Sequence, residues 1–451
     1  MIPIVTPEEM AAIDAAAPEP VDVLIERAGA AVARAAGRML GGGYGRVVNV
    51  IAGKGNNGND GRAAAQRLRA DGMTVRVFDL ATCPPRLPPA DLVIDAAFGT
   101  GFKGTWDAPH VGAAPVLAVD LPSGVDGLTG ERRGRTLPAD RTVTFAALKP
   151  GLLLGSGRGL AGEVEVADIG LDTGGASAHL VEAVDVQAWW RPRPPTAHKW
   201  SRAVRAVAGS PGMTGAAHLC TGAAQRSGSG MVTLSSPGIE PVTPVEIVHK
   251  RVPGFDWAQP VLTDLHRFQA LIIGPGLGRE EYTVAAVRAT IAGAEVPVLV
   301  DGDGLFALAW DHDGAAALLR GRRDPTVLTP HDGEYGLLAG RRPDADRLGA
   351  TRRLAADLGV VVLLKGPSTV VADPEGTVLV AAAGDARLAT AGTGDVLAGV
   401  IGALLASGVP PLRAAAAGAW IHGEAARFGP PVGLVASDLL EAIPLVLEQL
   451  T

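Results

Sequence analysis

The sequence predicts an α/β protein of two domains, the first built on a doubly wound parallel sheet. Three observations predict it. Short apolar, β-branched runs alternate with helix-like stretches in both halves. Several of these runs lack polar alternation, as expected for strands covered on both faces. The intervening lengths suit βα units, and 451 residues exceed one typical domain.

The elements follow in order. "TPEEMAAIDAAA" reads as a helix whose Thr6 and Glu9 fit a capping box, and "VDVLIERAGAAVARAAGRML" reads as a second helix. "RVVNVIAG", "TVRVFDL", "DLVIDAAFG", "PVLAVDLPSG" and "RTVTFAAL" read as buried strands. Between the first strand and the helix-like "RAAAQRLRADG" lies "GKGNNGNDG", residues 53–61. Its Gly53, Gly55 and Gly58 satisfy the GxGxxG pattern, with Asp79 ending the next strand, as in a dinucleotide-binding turn. A pyrophosphate cradle, however, has no use for three asparagines and an aspartate.

Ligands of such sheets bind beyond the carboxyl ends of strands. Three strand ends here are polar. The first gives Asn56, Asn57, Asn59 and Asp60, the third gives Asp95 and "GTGFKGT", and the fourth gives Asp120, Ser123 and Asp126. These loops are expected to converge at one sheet edge. Amide, hydroxyl and carboxylate oxygens together suit a hard cation and a polar ligand, and amides at a helix start suit phosphate. Taken singly, Asp95 and Asp120 are equally well helix caps, Lys54 and Lys103 solvated side chains, and Cys83 a loop residue.

Residues 172–200 break the pattern with clustered Gly, Ser and Pro, and "RPRPPT" resists regular structure. The expected domains are therefore 1–190 and 196–451, with Trp189 and Trp190 either at the interface or in a core. A new α/β series then begins at "AVRAVAGSPGMTGAA". "ALIIGPGLG", "VPVLVDGDGL", "TVLTPHDGE", "VVVLLKGPSTVVADP" and "TVLVAA" suggest strands, and "ATAGTGDVLAGVIGALLASG" a turn entering a long helix.

The chemistry of this half centres on Gly392, Gly394 and Asp395. Successive amides at a helix start stabilise charge on phosphate. A carboxylate in the same turn can take the proton of a hydroxyl attacking that phosphate. Lys365, Ser368 and Thr369 in "KGPST" suit a nucleotide, and His331 and Glu334 suit substrate or a metal-bound water. Asp301 and Asp303 are candidate Mg²⁺ ligands. The bland readings are a helix cap for Asp395, a structural strand-end histidine for His331, and chain turns for Asp301 and Asp303.

Composition narrows the function classes. Apolar residues make up 47% and charged ones 19%, which supports large cores and excludes disorder. The net charge of −7 and the lack of a long basic run argue against nucleic acid as a partner. Two cysteines, Cys83 and Cys220, make neither a disulfide framework nor a metal site, so a cytoplasmic setting is expected. The N-terminus lacks a secretory pattern. "VLAGVIGALLASGV" is too short to span a bilayer, and no membrane role is expected.

These motifs resemble a known family, the bifunctional NAD(P)H-hydrate repair enzymes, over nearly the whole chain. The first half is similar to NAD(P)HX epimerases through "GKGNNGNDG", "DAAFGTG" and "VDLPSG". The second is similar to ribokinase-like NAD(P)HX dehydratases through "GSPGMTGAA", "GPGLG", "TPHDGE", "KGPST" and "GTGDVLAG". The resemblance implies a Rossmann-like fold followed by a ribokinase-like one. It implies that Asn56, Asn57, Gly58, Asn59, Asp60, Gly99, Thr100, Gly101, Phe102, Lys103, Gly104, Thr105 and Asp120 bind the hydrated dinucleotide, NADHX or NADPHX. Asn57, Asp95 and Ser123 would bind K⁺, and Asp60 and Asp120 would carry protons. In the second half Ala216, Gly276, His331 and Asp395 would bind the hydrate. Lys365, Gly366, Pro367, Ser368, Thr369 and Gly394 would bind ADP or ATP, with Mg²⁺. Homo-oligomers, tetrameric or larger, are implied as well. Three places depart from the family pattern: Asn59 stands for a usual glycine, "HKWSRAV" lacks a glycine after His-Lys, and "GDARLATAGTGD" replaces "GNPGMATGGTGD". Two other readings compete. One is a thiazole- or pyrimidine-type kinase with an accessory domain; the other is a non-catalytic nucleotide sensor.

Overall fold

A computed structural model describes residues 1–451, apart from the side chains at 312 and 313. The chain divides into two compact units, Ile2–Ala178 and His179–Thr451, the latter with Met1. The division precedes the proline-rich stretch, because Val186 and Trp190 are buried in the core of the second unit.

The first unit runs β1 (Ile2–Ile4), α1 (Pro7–Ala15), α2 (Val21–Leu40), β2 (Val47–Ala52), α3 (Asn56–Ala70), β3 (Thr74–Asp79), β4 (Leu92–Ala96), β5 (Val116–Val119), β6 (Arg141–Phe145), α4 (Pro150–Leu153), α5 (Gly157–Leu160) and β7 (Glu163–Ala167). The capping box of α1 forms: Glu9 N–H donates to Thr6 Oγ1 at 3.2 Å, and Thr6 N–H to Glu9 Oε2 at 2.7 Å. β2 to β7 make a six-stranded parallel sheet in the order β3-β2-β4-β5-β6-β7. All five expected strands are present. β7, "EVEVA", is an addition: it is an edge strand whose glutamates pair with Arg141 and Arg38, so it lacks the buried-run signal.

Helices cover one face of this sheet. Ala28, Val32 and Ala36 of α2 and Ala64 and Leu68 of α3 pack on Val48, Val50, Ile94, Leu117 and Val119. The opposite face, with Ile51, Val93 and Ala118, is covered by Leu87, Ala108 and Leu137 from loops. Proline explains the lack of a helix there: "TCPPRLPPAD" cannot supply helical N–H donors. The chain leaves β2 for β3 on one side and returns to β4 on the other. That reversal opens a crevice at the carboxyl ends of β2 and β4.

The second unit continues with β8 (Ala178–Leu180), α6 (Ala183–Trp189), β9 (Ala203–Val207), α7 (Thr214–Arg226), β10 (Met231–Ser235), β11 (Val248–His249), α8 (Ala258–Leu262), β12 (Ala270–Ile273), α9 (Glu281–Gly293), β13 (Val298–Val300), α10 (Asp303–Ala309), α11 (His312–Arg320), β14 (Thr326–Leu328), α12 (Asp332–Ala339), α13 (Arg347–Leu358), β15 (Val361–Leu364), β16 (Thr369–Ala372), β17 (Val378–Ala381), α14 (Thr393–Ala406), α15 (Pro411–Phe428) and α16 (Ala436–Glu448). Its strands run β8-β17-β16-β15-β14-β13-β12-β9-β10-β11. Pairing is parallel from β11 to β15 and antiparallel from β15 to β17. The run 360–374 is thus two strands, since Gly366 and Pro367 turn the chain. α7, α14, α15 and α16 share one core with Val204, Ala206, Ile272, Leu299 and Val327. Among the described residues no helix is long and apolar enough to cross a membrane.

Candidate active sites

In the first unit, "GKGNNGNDG" is less a loop than a helix start. Gly55 is the N-cap of α3, with no side-chain cap, and Asn56 to Asp60 occupy its first turns. The glycines answer to backbone crowding: a Cβ on Gly53 would lie 2.0 Å from Ala97 O, and one on Gly58 would lie 2.0 Å from Gly53 O. Packing therefore accounts for Gly53 and Gly58 of the pattern, while a Cβ on Gly55 would meet nothing within 4 Å.

A cavity of about 740 Å³ opens beside this helix start. Asn56, Asn57, Asp60, Gly99, Thr100, Gly101, Phe102, Lys103 and Asp120 all line it, so the three polar strand ends do converge. Gly58, Asn59, Gly104 and Thr105 are not among its lining residues. Asn59 turns toward Arg62, whose Nη1 donates to Asn59 Oδ1 at 3.4 Å while Nη2 pairs with Asp79. Asp79, the dinucleotide-type acid of the sequence pattern, is thus engaged by arginine.

Asp120 sits under the cavity in a left-handed conformation, φ 67°. Its Oδ2 accepts from Thr100 N at 2.7 Å and Thr100 Oγ1 at 2.6 Å, and its Oδ1 lies 2.9 Å from Lys149 Nζ. Burial raises the Asp120 pKa, but Lys149 and the Thr100 bonds outweigh it and hold the carboxyl below its usual value. Asp60 behaves oppositely. Burial first, then the charges of Asp120 and Asp14, push it up to about 8. One carboxylate is therefore ionised and one protonated at neutral pH. Lys149 and Asp14 both line the cavity, and neither was read from the sequence. Lys149 sits in an unremarkable "ALKPG", and Asp14 on a helix far from the other polar residues in sequence.

Asp95 and Ser123 lie deeper. Ser123 Oγ donates to Asp95 Oδ1 at 2.6 Å and Ser123 N to Oδ2 at 2.9 Å; burial raises the Asp95 pKa against these bonds. Both side-chain polar atoms of Asn57 are buried without a partner. A buried carboxylate without a cation and an orphaned amide oxygen fit a monovalent cation.

In the second unit the strand ends again converge. A Cβ on Gly276 would lie 2.9 Å from Ala216 Cβ, so the loop after β12 meets the start of α7. Lys365 Nζ lies 2.8 Å from Asp301 Oδ1 and 3.7 Å from Glu334 Oε2. One on Gly394 would lie 3.6 Å from that same Nζ, which brings the "KGPST" turn against the start of α14. Gly392, φ 90°, is the N-cap of α14 with no side-chain cap. Burial and then Asp301 push Asp395, in the first turn, up to about 7 against the pull of Lys365. Burial disfavours the Lys365 ammonium, but Asp301 and Glu334 outweigh it and raise its pKa.

His331 caps α12: its Nδ1 accepts from Gly333 N at 2.9 Å and Glu334 N at 3.2 Å. Its Nε2 lies 3.6 Å from Glu334 Oε2, on a side chain that is 61% exposed and so within reach of a ligand. Asp301 also accepts from Thr329 Oγ1 at 2.7 Å, and Asp303 from Gly278 N at 2.9 Å and Arg279 Nε at 2.8 Å. Protein donors thus already engage both candidate Mg²⁺ carboxylates. No group of three or more His, Cys, Asp or Glu suited to a metal occurs among the described residues. Sequence reasoning missed Arg347, whose Nη2 donates to Lys365 O at 2.8 Å. It also missed His422, pushed down to about 4 by burial, with Nε2 unpartnered.

Comparison with known proteins extends this picture. Residues 204–443 match the family model described as NAD(P)H-hydrate dehydratase. Residues 21–88 and 81–151 match that of the YjeF-related protein N-terminus. A bifunctional NAD(P)H-hydrate repair enzyme of Moorella thermoacetica is 37% identical over 99% of this chain and 97% of its own. The chain belongs to the family of bifunctional NAD(P)H-hydrate repair enzymes. Another member, from Mycobacterium tuberculosis, is 41% identical over 88% of this chain and 87% of its own. The ADP/ATP-dependent NAD(P)H-hydrate dehydratase of Bacillus subtilis, crystallised with ATP and Mg²⁺, aligns at TM-score 0.52 and 30% identity. It covers 60% of this chain and 98% of its own. Asp60, Asp95 and Asp120 lie within the segments matched in the first half, and Asp301, Lys365 and Asp395 within the one matched in the second.

Proposed function

We infer that this repair enzyme interconverts the R and S epimers of NAD(P)HX with its first unit. Its second unit dehydrates the S form to NAD(P)H at the expense of ADP or ATP. The observation that carries the reading is the match of both halves, in order, to bifunctional repair enzymes along nearly the whole chain. A small-molecule kinase would leave the first unit without a purpose.

For dehydration, the hydrate hydroxyl attacks the terminal phosphorus of the nucleotide. Asp395 takes the proton, and the amides opening α14 stabilise the transferring group. The carbon–oxygen bond of the resulting phosphate ester then breaks, pushed by the ring nitrogen lone pair; phosphate leaves, and loss of a proton from the neighbouring ring carbon to water restores the dihydropyridine. A carboxyl near pKa 7 is matched to this task at neutral pH. Lys365 and the residues to Thr369 hold the nucleotide, and Ala216, Gly276 and His331 the hydrate. Mg²⁺ would come with the nucleotide and would neutralise its charge, since Asp301 and Asp303 are already engaged.

For epimerisation, protonated Asp60 gives its proton to the ring hydroxyl, which leaves as water. The ring nitrogen carries the positive charge, and ionised Asp120 faces it. Water returns to the other face and gives its proton back to Asp60. Asn57, Asp95 and Ser123 would hold K⁺, which would supply positive charge to an anionic ligand. A cytoplasmic setting and a homo-oligomer, tetrameric or larger, belong to the same reading.

The test supplies mixed NADHX isomers with Mg²⁺, K⁺ and either ADP or ATP, and follows the near-ultraviolet absorbance of NADH. Recovery beyond one isomer's share, faster than spontaneous epimerisation, is expected. No recovery with either nucleotide would refute the reading.

A further inference from the structure

One charged group of the first unit has no part in the roles above. Lys149 borders the 740 Å³ cavity yet is only 1% exposed. Its Nζ donates to Thr144 Oγ1 and Phe145 O, both at 2.9 Å, and to Ala147 O at 3.2 Å. It lies 2.9 Å from Asp120 Oδ1. Thr144 closes the circuit, its hydroxyl donating to the same Oδ1 at 3.1 Å. An ammonium so enclosed by acceptors is a fixed charge rather than a mobile surface lysine.

The backbone is bent to build this cradle. Among the described residues, three non-glycine residues have left-handed φ, and two of them belong to it. Ala146, φ 63°, sits between the two carbonyls that Lys149 uses, and Asp120, φ 67°, carries the carboxylate. Alanine rarely adopts that region, aspartate more readily, and the Ala146 conformation persists only where the surroundings over-determine it. Both strained residues follow strands, β5 and β6, that are neighbours in the sheet. An ion pair serving only to tie two strands together would not need a cavity beside it. Here the other charged groups facing the space are Asp14 of α1, Glu19, Asp60 of α3, and Lys54 and Lys103.

We propose that Lys149 is the positioning residue of epimerisation, acting through Asp120 by locking the orientation of its carboxylate beneath the reacting ring. The proposal rests on the epimerase reading of the first unit.

The experiment uses the full chain, with Lys149→Met as the main variant. NADHX isomers with ADP are consumed in two phases, of which the second reports epimerisation. In K149M the epimerisation kcat is expected to fall about a hundredfold with KM changed less than about threefold, while the first phase is unaltered. In an Asp120→Asn background K149M should cause no further loss, because Lys149 works through that carboxylate. Lys149→Ala should regain activity with millimolar ethylammonium, to which the wild type is indifferent. Wild-type kcat in K149M would overturn the proposal, as would losses that multiply in the double variant. If K149M melts below the assay temperature, Lys149→Gln, which is shorter and uncharged and so breaks the direct 2.9 Å contact with Asp120 Oδ1, replaces it. An unchanged epimerisation kcat in K149Q would also overturn it. A wild type with no second phase beyond the spontaneous rate refutes the epimerase reading itself, an outcome separate from an active wild type matched by K149M.

Discussion

The two sites of this chain are built alike and poised differently. Each has a lysine paired with a strand-end aspartate, Lys149 with Asp120 at 2.9 Å and Lys365 with Asp301 at 2.8 Å. Each adds a second aspartate near the start of a helix, Asp60 on α3 and Asp395 on α14, and both carboxyls are raised by burial and neighbouring charge. A helix N-terminus favours a carboxylate, so burial and like charge outweigh the helix dipole in both places. The lysines differ. Lys149 is sealed, whereas the Lys365 side chain is 21% exposed beside an uncapped helix start. A sealed ammonium can only orient its partner; an accessible one can meet a phosphate. The aspartates differ in task as well, since an acid must hold its proton at neutral pH and a base must lose it.

The largest effect expected from breaking this parallel is at Asp395. Asp395→Asn should lower dehydration at least about a thousandfold, while ADP still binds and epimerisation persists. Equilibrium binding with isomer-resolved chromatography checks it, and surviving dehydration would remove Asp395 from its role. Asp60→Asn should cut epimerisation about a hundredfold and leave dehydration alone, which the second phase of cofactor recovery reports.

The pH profiles sharpen the contrast, because the two limbs have opposite sign. For dehydration, kcat/KM should rise with pH through about 7 as Asp395 loses its proton. For epimerisation it should fall above about 8 as Asp60 loses the proton it must give. The same shift bears on stability. A carboxyl raised from 3.8 to about 8 by folding stabilises the fold below its unfolded value, and that contribution is lost as pH rises to about 8. The melting-temperature difference between D60N and wild type should therefore shift in favour of D60N between pH 5 and pH 8. Parallel limbs, or a difference independent of pH, would mean the two aspartates are not poised as described.

A smaller effect concerns the cation. Replacing K⁺ by choline, or Ser123 by Ala, should slow epimerisation about tenfold and leave dehydration of the S form within about twofold. The smallest is at Asn59, which departs from the family pattern yet turns to Arg62 and away from the cavity. Asn59→Gly should change epimerisation less than about twofold; a large gain would show that the side chain crowds the ligand after all.

Much of this was legible in the sequence. The five strands of the first unit, the capping box of α1 and the convergence of three polar strand ends followed from apolar runs and turn residues, which are local signals. The strand β7 was not, because an edge strand with exposed glutamates carries no buried run. The hairpin of β15 and β16 was read as one strand, because apolar residues flank the Gly-Pro turn on both sides.

By itself, then, the sequence determined the fold class, the two-part organisation and the family, since these rest on local patterning and motif order. It also singled out Asp60, Asp120, Lys365 and Asp395 as chemical groups. Only the tertiary structure decided what state those groups are in. The protonation of Asp60, the ionisation of Asp120 and the place of Lys149 and Asp14 beside them depend on burial and through-space charge. Residues 14, 60, 120 and 149 are remote in the chain, and only the sheet order, which places β2, β4, β5 and β6 side by side, brings their charges into one low-dielectric space.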